Sequence, residues 1–205
     1  MTAPPLTGLI LAGGKSSRFG SDKASALLGG RPLLQWAVSA LEPVVEALVI
    51  VKSPSQQLPP LVASVPITVV DDEYNALGPL AGLVTGFAAV TTVLCFATAC
   101  DAPLLSAALV RFLVGRAREA DVVVPDVEGF MQPLTAVYRP LTCRPSFAEG
   151  INLGALKIVP AYASLRTIVI SEDEVRTVDP GLRSFRNANR PERLAEILAL
   201  LDAGE

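Results

Sequence analysis

The chain has 205 residues, 51% of them hydrophobic and 18% charged, with a formal net charge of −3. That balance supports a compact core and lacks the basic surface that broad nucleic-acid binding requires. It contains no histidine, and its three cysteines (Cys95, Cys100 and Cys143) lack metal-ligand spacing. Any bound metal is therefore expected to be a hard cation on oxygen ligands, and the thiols to be buried and reduced in a cytoplasmic protein.

In chain order, MTAPPLTGLILAGG has no basic region ahead of its apolar stretch, so it is not read as a signal peptide. GLILA (8–12) reads as a first strand. After it come Gly13 and Gly14, then Lys15, Ser16, Ser17, Arg18, Asp22 and Lys23 within ten positions, the composition of a phosphate-holding loop. PLLQWAVSALEPVVE (32–46) fits a helix, ALVIV (47–51) a strand, SPSQQLPP (53–60) a loop and PITVV (66–70) a strand. Residues 80–100 carry no charge over a length that could span a bilayer. However, Gly78-Pro79 opens a helical pattern over 79–90, Thr91-Thr92 interrupts it, and VLCFAT (93–98) has a core-strand composition. The expectation is a helix and a strand, with no membrane association.

SAALVRFLVGRAREA (106–120) reads as a helix and DVVVP (121–125) as a strand. QPLTAVYRP (132–140) reads as another strand, 146–165 as helical in two pieces, TIVI (167–170) as a strand and 190–201 as a terminal amphipathic helix. Tyr138 and Trp36 read as core residues. Near-continuous apolar strands separated by helices indicate an α/β protein with a mostly parallel sheet covered on both faces. Ligands bind such sheets at the carboxyl ends of the strands. One domain, 1–205, is expected, with an elaboration over 126–205 after the 1–125 portion.

Two familiar phosphate motifs fail on the opening stretch. Gly13 and Gly14 are adjacent and Gly20 is distant, which excludes G-x-G-x-x-G. Gly14-Lys15-Ser16 copies a P-loop ending, but that pattern needs glycine at position 9, which is leucine. The stretch L-A-G-G-x-S-S-R-F-G-x-D-K resembles instead the signature of the molybdenum cofactor guanylyltransferases. The same resemblance extends to DDEYNALGPLAG (71–82), ATACDAP (97–103) and FRNANRPERL (185–194), in the family's order.

The resemblance implies a Rossmann-like nucleotidyltransferase fold and a reaction in which GMP passes from GTP to molybdopterin, releasing pyrophosphate. It implies that Leu11, Ala12 and Gly13 line the nucleotide site and that Gly14, Arg18 and Lys23 handle the triphosphate. Asp72 or Asp71 would contact nucleotide together with Gly78. Asp101 would hold Mg2+, and Asn187 and Asn189 would face the pterin. GTP and molybdopterin are the implied partners, with a cofactor-insertion chaperone or an acceptor molybdoenzyme beyond them.

Two departures stand out. Where the family often has asparagine after the second strand, this chain has Val51 beside Lys52, and the acidic turn leaves Asp71 and Asp72 as alternatives. Asp101, the acidic turn and the Asn-Ala-Asn stretch could each serve as turns or helix caps. A relative using CTP, or a nucleotide on another phosphorylated acceptor, remains open, as does a non-catalytic nucleotide-binding regulator. The Gly13-Gly14 pair, roomier than the Ala-Gly typical of cytidylyl relatives, favours guanine. A phosphate nucleophile is already ionised, so the chemistry needs no general base and is compatible with a chain without histidine.

Overall fold

The computed structural model describes residues 4–13, 22–74, 77–189 and 192–202. Its strands are β1 (Leu6–Leu11), β2 (Leu27–Leu28), β3 (Arg31–Pro32), β4 (Ala47–Lys52), β5 (Ile67–Asp71), β6 (Leu94–Ala99), β7 (Val122–Val127), β8 (Phe130–Met131), β9 (Thr135–Tyr138) and β10 (Thr167–Ile170). Its α-helices are α1 (Leu33–Leu41), α2 (Pro79–Ala89), α3 (Ala107–Gly115), α4 (Pro140–Asn152), α5 (Glu172–Arg176) and α6 (Glu192–Asp202).

The central sheet runs β10-β7-β9-β6-β1-β4-β5, with β8 hanging on β7. The pairs β5–β4, β4–β1, β1–β6 and β7–β10 are parallel, whereas β9 runs antiparallel to both β6 and β7. The fold is thus the expected mostly parallel α/β sheet, with one reversed strand inserted in it. The apolar run over 80–100 resolves into α2 and β6, and among the described residues no helix is long and apolar enough to cross a membrane.

Strand alternation divides the core into two layers. Ile10, Leu48, Ile50, Phe96 and Val123 face α1 and α3, while Leu9, Leu11, Val49, Cys95 and Ala97 face α2 and α4. Helix α2 lies unusually near β1 because Gly86 and Gly82 present no side chain to it. A Cβ at Gly86 would sit 2.8 Å from Leu9 Cδ2, and one at Gly82 would sit 3.1 Å from Leu11 Cδ2. This close approach brings the N-terminus of α2 over the carboxyl end of β1.

Helix α4 begins at Pro140, six residues before the helical start expected at 146, and runs through Pro145. Proline at the first helical position is favourable, and buried Cys143, Phe147 and Ile151 at four-residue spacing pin one face, which outweighs the interior break at Pro145. Phe147 meets Phe87 of α2 with ring centroids 5.8 Å apart. Tyr138 is fully buried; its hydroxyl donates to Pro133 O at 2.7 Å and lies 2.7 Å from Tyr162 Oη. Trp36, expected in the core, is only half-buried. Its indole N–H donates to Leu28 O at 3.0 Å, and the Arg31 guanidinium lies 4.7 Å from the ring centroid. That polar tip needs a partner, which the β2–β3 turn provides. Helix α6 closes the molecule by packing Ile197 with Leu28, Leu33, Leu104 and Ala188, which carries the preceding segment across to the carboxyl end of β6.

Candidate active site

The chain leaves β1 toward β4 and β5, then returns across β1 to β6. Strand order therefore reverses between β1 and β6, and a crevice opens at their carboxyl ends. A cavity of about 170 Å³ lies there. Leu11, Gly13, Val51, Ser53, Asp72 and Gly78 line it, together with Pro79, Gly82, Ala99 and Leu134. Four of the residues singled out in the sequence thus meet on one wall.

The approach at Gly13 favours glycine. A Cβ there would lie 3.0 Å from Ser53 N and 3.1 Å from Ser53 Oγ, so a side chain would push the two chain segments apart by a few tenths of an ångström. The Gly13 N–H is already spent on Val51 O at 3.2 Å, so its contribution to the cavity is the space it leaves. Gly78 precedes α2 with φ of 92°, a conformation other residues rarely adopt.

Ala12 stands apart from the cavity. Alternation turns its methyl into the opposite core layer, and its carbonyl accepts from Gln56 Nε2 at 2.9 Å. The two acidic neighbours also separate. Asp71 is exposed and pairs with Lys52 Nζ at 2.6 Å, whereas Asp72 lines the cavity. Its Oδ1 accepts from Tyr74 N at 3.1 Å and from Thr85 Oγ1 at 3.3 Å. Asp72 is therefore both a turn residue and a cavity carboxylate. Gly14 and Arg18 lie outside the described residues.

Asp101 follows β6 by two residues and is only 6% exposed. Its carboxylate forms an ion pair with Lys23 Nζ. It does not cap α3, a role that falls to Ser106, which accepts from Ala108 N at 3.2 Å. Lys23 opens a short 3-10 turn over Lys23–Ser25, held by Asp22 Oδ1 accepting from Ala24 N at 3.1 Å. Ala188 N donates to the main-chain carbonyl of Asp101 at 2.8 Å, which brings the Asn187–Asn189 segment against the backbone at Asp101. Asn189 Oδ1 is buried without a hydrogen-bond partner, an open acceptor at the site. Burial, helped by the adjacent Asp101 carboxylate, pushes the neighbouring Cys100 thiol up to about 12, so at neutral pH it is an inert thiol and not a nucleophile.

Three contributors escaped the sequence reading. Ser53 and Gln56 sit in a stretch that reads only as a Pro-rich loop. Thr85, buried on α2, accepts from Glu73 N at 3.2 Å while donating to Asp72. A polar residue within the apolar run of α2 was the available signal, because a buried hydroxyl there must find a partner.

The family model described as MobA-like NTP transferase domain matches residues 8–166. A molybdenum cofactor guanylyltransferase of Desulfosudis oleivorans is 34% identical, covering 97% of this chain and 97% of that protein. A probable molybdenum cofactor guanylyltransferase of Natronomonas pharaonis is 36% identical over 92% of this chain and 94% of its own length. The crystal structure of molybdopterin-guanine dinucleotide biosynthesis protein A from Archaeoglobus fulgidus superposes with a TM-score of 0.78 at 21% identity, covering 96% of this chain and 99% of that one. With a matching fold, a cavity at the strand-order reversal and these relatives in agreement, the chain is a nucleotidyltransferase belonging to the MobA-like NTP transferase family.

Proposed function

We propose that this enzyme transfers GMP from GTP to the terminal phosphate of molybdopterin, producing molybdopterin guanine dinucleotide and pyrophosphate. The observation that carries the reading is the convergence of the Leu11–Gly13–Asp72–Gly78 cavity with the Lys23–Asp101 pair at the end of β6. The base enters the cavity, where Asp72 accepts hydrogen bonds from its donors while Thr85 and the Tyr74 N–H hold the carboxylate in place. The triphosphate extends past Gly13 toward Lys23, and the family resemblance adds Gly14 and Arg18 to the phosphate contacts. Lys23 supplies a mobile point charge and Arg18 a planar fork, two complementary ways of holding phosphate oxygens. Asn187 and Asn189 face the pterin, with the open Asn189 Oδ1 accepting from ring N–H groups. In this scheme residues 1–125 hold the nucleotide and 126–205 shape the acceptor side.

The donor set suits magnesium. Asp101 is a buried hard-oxygen ligand, and among the described residues no cluster of three or more His, Cys, Asp or Glu side chains could form an all-protein cage. Magnesium is commonly held by one or two carboxylates plus substrate phosphates. When bound, it would offset negative charge on the α-phosphate. Lys23 and Arg18 steady the departing pyrophosphate, and alignment of two polyanions supplies most of the rate. The attacking phosphate oxygen of molybdopterin forms the new bond to the α-phosphorus as the α–β bridge breaks. The reaction belongs in the cytoplasm, and a cofactor-insertion chaperone or recipient molybdoenzyme is the expected next holder of the product.

The direct test incubates the enzyme with magnesium, molybdopterin and either GTP or CTP and measures pyrophosphate. Release with GTP that depends on molybdopterin is the expected result. Release with CTP alone would refute guanine use.

A further inference from the structure

Ala12, just past β1, and Asp22, at the start of the Lys23–Ser25 turn, are joined by one side chain. Gln56 Nε2 donates to Ala12 O at 2.9 Å and to Asp22 Oδ1 at 2.8 Å. Its Oε1 accepts from Ser53 N at 3.0 Å, and its own N–H donates to Ser53 O at 2.9 Å. Ser53 is the residue whose backbone presses on Gly13 and which lines the cavity. A single carboxamide therefore ties Ala12, Asp22 and the cavity wall together. The bond to Asp22 is charge-assisted, and Asp22 also caps the turn that begins at Lys23. Only an amide at this length can donate twice and accept once in this arrangement: a carboxylate would oppose both Ala12 O and Asp22.

We infer that Gln56 is a positioning residue for nucleotide binding, clasping the neck of the phosphate-binding stretch and, through Asp22, setting Lys23 on the site. The inference rests on the nucleotidyltransferase reading of this cavity. It assigns a function to the connection after β4, whose Gln56 reaches Lys23 through Asp22. The clasp acts on the nucleotide side only. Asn187 and Asn189 are held by a separate bond, from the Ala188 N–H to the Asp101 main-chain carbonyl.

The test replaces Gln56 with Met, which keeps length and bulk but removes all three side-chain hydrogen bonds, and compares it with Asp22→Ala and the double variant. Binding of a fluorescent GTP analogue with magnesium, KM for nucleotide, KM for acceptor and the thermal midpoint are measured for each. Loss of a charge-assisted hydrogen bond corresponds to a weakening of about tenfold or more in nucleotide affinity. Gln56→Met is expected to show that loss with an unchanged acceptor KM and a thermal midpoint close to the parent's. The double variant should fall short of the product of the two single effects, because both break the same bond. Unchanged nucleotide affinity in Gln56→Met, equal rises in both KM values, or strict multiplicativity would each overturn the clasp. Should the parent bind nucleotide without transferring guanylyl, the proposed reaction fails, while the affinity comparison still decides the role of Gln56.

Discussion

At the residue scale, the site separates groups that sequence proximity leaves together. Asp71 and Asp72 are adjacent in an acidic turn, and nothing in their order says which one reaches a ligand. Alternation at the end of β5 separates them, turning Asp71 outward to Lys52 and Asp72 into the cavity, so Asp72 is the one we propose contacts nucleotide. Exposed ion pairs contribute roughly 0–1 kcal/mol, so Asp71→Ala is expected to leave the nucleotide KM within about twofold. Asp72→Ala removes a cavity acceptor and should raise that KM by about tenfold or more, on the scale of a lost hydrogen bond to a charged group. Steady-state kinetics with GTP as the varied substrate would separate the two; equal effects would reject the assignment. Asp101 is the sharper case, being buried, ion-paired and unused as a cap. Asp101→Asn keeps its shape but weakens cation and lysine binding, and turnover is expected to drop by about 10²–10³-fold, the scale of losing one preorganised electrostatic contact. Near-UV circular dichroism should remain unchanged, and parent-like pyrophosphate release at saturating magnesium would reject the role.

At the element scale, the apolar runs made most strands legible, since sheets covered on both faces need side chains buried on both sides. Strand direction was not legible. TAVY in β9 would pack equally well either way, and the tight reversal at Glu128-Gly129 after β7 is what makes it antiparallel. Helix α5 was legible in principle, because Ser171 and Glu174 form a reciprocal capping box, but five residues give too little periodicity to notice. Gln56 was illegible for another reason: its partners are a carbonyl 44 positions away and a carboxylate 34 away, which no local pattern encodes. The packing of α2 on β1 provides the prediction at this scale. Leu9 is fully buried, so it cannot swing clear of a new side chain at position 86. Gly86→Val should destabilise by about 1–3 kcal/mol through overpacking. Gly115, at the end of α3 with nothing near its missing Cβ, offers the contrast. There, Gly115→Ala should stabilise by roughly 0.4–1 kcal/mol, by restricting the unfolded chain. Urea midpoints of both variants check the pair, and a Gly86→Val midpoint at or above the parent's would show that α2 has room to move.

At the scale of the whole molecule, the three free thiols report on global stability because all are buried, Cys95 and Cys143 together in the core layer beneath α2 and α4 and Cys100 in the opposite one. Cys95 is within β6, Cys100 follows it at the site, and Cys143 sits on α4. Burial pushes Cys100 and Cys143 up to about 12, and Cys95 upward as well. An unfolded thiol ionises near pH 8.5–9, whereas these remain protonated in the native state well above that. Above that range the native state therefore holds more protons than the unfolded chain, and stability falls as pH rises. Each thiol contributes about 1.4 kcal/mol per pH unit between its unfolded and folded values. Three together give a steep alkaline limb, to which the raised hydroxyls of Tyr138 and Tyr162 add above pH 10. Cys143 donates to Asp121 O at 3.2 Å, a bond that serine can reproduce. Cys143→Ser should therefore remove one titrating group without opening a cavity. Its unfolding free energy between pH 9 and 10.5 should decline less steeply than the parent's by about 1.4 kcal/mol per pH unit. Parallel slopes for the two proteins would show that the Cys143 thiol does not govern the alkaline limb.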